Sequence, residues 1–163
     1  MAPSKRYRTF NNDTTKFDLD SDFILAIIHY DGFSERLLHF EVFIDKNFNF
    51  CCLLDSFKGS ILNSNEAFKL ELTSILPDNI KEQVAHLLLQ NLGDINEKYT
   101  FENLAITDIG SQLILVNNNN ETINISIEGE LKNYNLVNKN ERILEKLISD
   151  IRIWIENLYE KII

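Results

Sequence analysis

The chain is 163 residues long, 44% hydrophobic and 25% charged, with a formal net charge of −9. That length and composition support one buried core and exclude general disorder, and no apolar run reaches the roughly 20 residues needed to span a bilayer. Lys5, Arg6, Arg8 and Lys16 outnumber Asp13, Asp18 and Asp20 in the first twenty residues, so the remainder carries −10; a body of that sign repels phosphate backbones and argues against nucleic acid as a partner.

Residues 1–15 are polar and aperiodic and read as a flexible N-terminal arm, leaving 16–163 as a single domain. Its basic start, Met1 to Phe10, is followed by Asn11-Asn12-Asp13 and not by an apolar stretch, so no secretory signal is read and a cytoplasmic protein is expected. Phe23 to Tyr30 is apolar on both alternating faces, as in a strand covered on each side. Leu37 to Ile44 and Phe48 to Leu54 alternate around a turn at Asp45 to Asn47 and predict a hairpin. Phe68, Leu70 and Leu72, alternating with Lys69, Glu71 and Thr73, suggest a further strand, with a short helix as the competing reading.

Pro77 and Asp78 open a helix expected to run to about Leu92 and to stop at Gly93. Strand pattern resumes at Leu104 to Thr107, Gln112 to Val116 and Glu121 to Leu131, the last two joined by the run Asn117 to Asn120, whose residues tolerate positive φ. A long amphipathic helix closes the chain at about 139–162. Leu144, Leu147, Ile148, Ile151, Trp154, Ile155, Leu158 and Ile162 share one face, so Trp154 is read as core, while Ile153 and Tyr159 lie off the stripe. Asn138 and Glu141 stand at capping-box spacing. The expected architecture is α+β: a largely antiparallel sheet of about six or seven strands, with helices at about 77–92 and 139–162 packed on one face.

Chemistry-bearing residues are sparse. Asp18, Asp20 and Asp22 have the opening spacing of a calcium loop, but Phe23 stands where its glycine belongs and His29 where its bidentate glutamate belongs, so no metal is expected. His29 and His39 near Asp31, Glu41 and Cys51 offer an imidazole, a carboxylate and a thiol for an unrecognised enzyme. Cys51 and Cys52 are adjacent in a strand, point to opposite faces and suit a reducing compartment as free thiols. No phosphate loop, zinc spacing or nucleophile elbow is present, and no cofactor is expected.

The leading expectation is a non-catalytic protein-binding module that occludes a basic partner through an acidic face. In size, charge and lack of motif the chain resembles small acidic immunity proteins, which block a cognate toxin, although no residue motif carries that likeness. Asp31, Glu35, Asp45, Asp55 and Asp108, on expected loops and edges, are the candidate binding carboxylates, each with ordinary turn chemistry as its plain explanation. The alternatives are a small apolar-ligand binder with a pocket between sheet and C-terminal helix, and an enzyme using His39, Glu41 and a thiol. No membrane partner is expected, and a homodimer is compatible with the off-stripe Ile153 and Tyr159.

Overall fold

A computed structural model describes residues 7–32, 38–57, 67–101 and 109–162, with the backbone alone at 56–57, 67–69 and 162. Glu35, Asp108 and the expected strand from Leu104 to Thr107 lie outside the described residues. The fold class is α+β: a seven-stranded, mostly antiparallel sheet, a two-stranded sheet and two helices. Two compact units are distinguished, Met1–Ile75 with Glu97–Glu130, and Leu76–Asn96 with Leu131–Ile163.

The first unit holds the strands β1 (Arg8–Asn11), β2 (Lys16–Leu19), β3 (Phe23–Asp31), β4 (His39–Asp45), β5 (Asn49–Phe57), β6 (Ala67–Ile75), β7 (Lys98–Tyr99), β8 (Gly110–Asn118) and β9 (Glu121–Glu128). Their order in the large sheet is β6-β5-β4-β3-β8-β9-β7, with β7 beside β9 in parallel. Turn chemistry sets the hairpins. Asp45 Oδ1 accepts the amides of Asn47 at 2.8 Å and Asn49 at 3.0 Å, and Phe48 takes φ 60° inside that turn. A left-handed conformation costs a residue with a side chain about 1–2 kcal/mol, which the carboxylate bonds offset. Asn119 and Asn120 sit at φ 47° and 71°, the paired positive values of a tight hairpin that matches strand twist.

Two of these strands differ from the sequence reading. Arg8–Asn11, placed in a loose arm, form β1 paired with β2, because Tyr7, Phe17 and Leu19 have an apolar surface to join at Ala26, Ile28, Phe43 and Leu115. Side chains of β8 and β9 then replace a strand ladder: Asn124 Oδ1 accepts the Phe17 amide at 2.8 Å, and Thr122 Oγ1 accepts that of Leu19 at 3.0 Å. Secondly, β9 ends at Glu128 instead of Leu131, since Gly129 turns the chain at φ 68°. The segment around Leu70 is the strand β6 that its alternation suggests, and not the competing short helix.

Pairing register divides the large sheet into two faces, since side chains alternate along each strand. Ala26 lies opposite Phe43 and Leu115, Phe43 opposite Cys51, and Cys51 opposite Thr73, which defines one face. Glu41, Leu53 and Glu71 share it two residues along, as do His39, Asp55 and Lys69 two residues further. Leu25, Ile27, His29, Phe40, Val42, Ile44, Cys52 and Ile114 form the other face and are nearly all inaccessible to solvent.

In the second unit, α1 (Asp78–Leu88) and α2 (Lys139–Ile162) pack against each other, and Gln83 Nε2 donates to Asp150 Oδ2 at 2.7 Å. The capping box at the start of α2 forms as its spacing predicts: Asn138 Oδ1 accepts the Glu141 amide at 2.9 Å, and Glu141 Oε1 accepts the Asn138 amide at 3.3 Å. Helix α1 stops at Leu88, short of Leu92, because Asn91 Oδ1 captures the Gly93 amide and starts a separate 3-10 turn at Leu92–Asp94. Trp154 is half-buried, not core. The buried stripe of α2 is Leu144, Leu147, Ile148, Ile151, Ile155 and Tyr159, so Tyr159 belongs to the stripe and Ile153 stays exposed. Among the described residues, no helix is long and apolar enough to cross a membrane.

Candidate functional site

The β1–β2 hairpin covers only part of the face that carries Phe43. Over β3 and β8 it encloses Tyr7, Leu19, Ala26, Ile28 and Leu115, with Tyr7, Phe23 and Phe43 packed ring against ring at centroid distances of 4.8 to 5.5 Å. Toward β6 the face opens into two depressions that share Glu71. One, of about 490 Å3, is bordered by Asp20, Asp22, Asp45, Lys46 and Glu71, with Tyr7 and Cys51 at its floor. The other, of about 360 Å3, is bordered by His39, Glu41, Asp55 and Glu71. Among the described side chains, six carboxylates and one lysine therefore line this open half.

Few of those carboxylates are idle. Glu41 Oε1 accepts from Arg8 Nε at 2.9 Å, and the guanidinium lies 4.5 Å from the Phe17 ring centroid. Tyr7 donates to Glu71 Oε1 at 2.9 Å, and the Cys51 thiol lies 3.5 Å from both the Tyr7 hydroxyl and Glu71 Oε1. The hydrogen bond with Cys51, then burial, then Glu71 hold the Tyr7 hydroxyl well above the ordinary tyrosine range, so it stays a donor. Asp45 is occupied by its turn, and Asp20 Oδ1 accepts the Asp22 amide at 3.1 Å. Asp22 and Asp55 accept no hydrogen bond from a described side chain or amide, so theirs are the charges presented outward.

The two histidines of the enzyme reading are on opposite faces. His29 is 2% exposed; its Nε2 lies 2.7 Å from Asp31 Oδ1 and its Nδ1 3.3 Å from Gln112 Nε2. Asp31 Oδ2 also accepts the Leu38 amide at 3.2 Å. Both ring nitrogens are engaged, which leaves none to take a proton from a substrate. Asp31, a sequence candidate for binding, is thus the partner of a buried imidazole on the face opposite the depressions.

His39 is different. Its ring stacks on Tyr30 at 3.9 Å, and Nε2 stands 3.6 Å from Glu41 Oε2 with no hydrogen-bond partner among the described residues. Burial lowers its pKa, with Glu41 and Asp55 pulling weakly the other way, so the ring is neutral near pH 7. In register His39 lies opposite Asp55, whereas Cys51 lies opposite Phe43, four residues along, or roughly 13 Å at strand spacing. The structure brings Glu41 to His39 but not the Cys51 thiol. Cys52, on the other face, has its thiol pushed up to about 12 by burial, with the neighbouring Cys51 and Glu41 adding to it. Such a thiol is not a nucleophile at neutral pH.

Of the sequence candidates, Asp45 and Asp55 lie on the open acidic face and Asp31 does not. Sequence reasoning missed Asp20, Asp22 and Glu71 as members of that face. The first two carried only the calcium-loop spacing, and Glu71 sat in a segment with two competing readings; its alternation with Leu70 and Leu72 was the available signal. No family model matches the chain, and none of the curated proteins is recognisably similar to it.

Proposed function

We propose that this protein is a non-catalytic binding module of the inhibitor or immunity type, which occludes a basic partner protein with its open acidic face. The observation that supports this reading is the grouping of Asp20, Asp22, Glu41, Asp45, Asp55 and Glu71 around two adjoining depressions that share Glu71 and whose described lining offers one lysine. Like charges held together on one side raise the local potential, speed encounter with a positive surface and set orientation. The surrounding chemistry favours binding over catalysis: the buried His29 imidazole has no free nitrogen, the half-buried His39 has no thiol in reach, and the Cys52 thiol is held protonated.

Asp22→Lys with Asp55→Lys is the discriminating variant, because neither carboxylate supports a turn or a hairpin. Tagged wild-type protein, used for capture from its native cell extract, is expected to retain a stoichiometric basic protein through a moderate-salt wash, and the double variant to lose it. Equal retention by the two, or no retained protein, overturns the proposal.

A further inference from the structure

The large sheet ends differently on its two sides. One edge is β7, two residues long and paired in parallel with β9. The other is β6, nine residues long, running antiparallel to β5 in unbroken register from Asn49 opposite Ile75 to Phe57 opposite Ala67. Among the described residues, no strand pairs with the outer side of β6. Alternate residues of such an edge direct their amide and carbonyl groups outward, ready to accept another strand. It carries no proline and no bulge to blunt it.

We infer that the partner adds an extended segment to β6, and that this segment alternates basic with apolar side chains. The inference rests on the binding reading above and specifies its mode. A strand laid along β6 sends every second side chain to the acidic face, beside Glu71 and within reach of the field of Asp22, Asp45 and Asp55. The intervening side chains meet Leu70 and Leu72, which are half-buried on the opposite face. Against the carboxylates stand Lys46, Arg8, already paired with Glu41, and Lys69, in register beside Asp55, so the balance stays negative. Main-chain bonds would supply affinity and the alternating charges selectivity, as in other strand-addition complexes. A second copy is disfavoured as the occupant because it brings the same net charge of −9.

The test uses three labelled peptides of β6 length and the intact protein, read by fluorescence anisotropy at about 50 and about 300 mM salt. In the first, lysine alternates with valine. In the second, lysine alternates with proline, which keeps the charge and removes every second amide donor. In the third, glutamate alternates with valine. The lysine–valine peptide is expected to bind with an affinity that falls with salt, the lysine–proline peptide at least about tenfold more weakly, and the glutamate–valine peptide not at all. Equal binding of the two lysine peptides overturns strand addition while leaving the acidic-face reading standing. Equal binding of the lysine–valine and glutamate–valine peptides overturns the charge argument and that reading together. Failure of all three to bind, or sedimentation showing a dimer that closes the β6 edge, overturns the inference alone.

Discussion

The two halves of one sheet face are built on opposite principles. Over β3 and β8 the hairpin β1–β2 helps seal Ala26, Ile28, Phe43 and Leu115 away from water, and the polar groups there are Asn and Thr side chains that hold backbone. Over β4, β5 and β6 the same face is left open by the described residues and lined with carboxylates. Hydrophobic burial accounts for the first half, since each large side chain removed from water contributes about 1.5–3 kcal/mol. The second owes less to burial: Glu41, Glu71, Asp45 and Asp20 each hold a side chain or a turn amide, whereas Asp22 and Asp55 do neither. Carboxylates that folding does not explain are the better place to look for function.

The largest effect that tests this contrast lies in the sealed half. Phe43→Ala is expected to lower unfolding free energy by about 3–5 kcal/mol in urea denaturation, because the ring is almost wholly buried and packed against Tyr7 and Phe23. At the seam between the halves, Tyr7→Phe removes the bond to Glu71 and is expected to cost about 1–2 kcal/mol by the same measurement. In the open half, His39 should impose a pH dependence. Its pKa is lowered in the folded state, so its stabilising contribution is complete above the usual value of 6.5 and is lost as pH falls below that value toward the lowered one. A wild-type curve that falls across that window relative to His39→Gln bears this out; parallel curves contradict it. The smallest effect is expected at Asp55→Asn, which should shift stability by less than about 0.5 kcal/mol while weakening capture of a basic partner. A loss of several kcal/mol there would place Asp55 in the fold's support and not on its binding face.

How much of this was legible in the sequence differs between the same two halves. Periodicity shows the strands from Phe23 to Leu54, the Asn119-Asn120 hairpin, the α2 capping box and, beside a competing helix, β6, because each depends on local spacing or turn chemistry. The β1–β2 hairpin was hidden: its four-residue strands are mostly polar, and what holds them is a set of side-chain bonds to Asn117, Thr122 and Asn124, about a hundred residues away in sequence. The early end of α1 was hidden for a related reason, since Gly93 has the expected residue type but Asn91 decides its role. The acidic face was half legible. Asp45 and Asp55 were picked out by their place in turns and edges, but Asp20, Asp22 and Glu71 join them only through tertiary register, and the same register separates His29 from His39.

The measurement that bears most directly on the open acidic half as the binding surface is an amide chemical-shift titration of the isotope-labelled protein with the lysine–valine peptide. The account predicts shifts concentrated in β6 and around Asp22, Asp45 and Asp55, with the amides of Ala26, Ile28 and Leu115 unmoved. Shifts centred on the covered half, or on the helices alone, would contradict it.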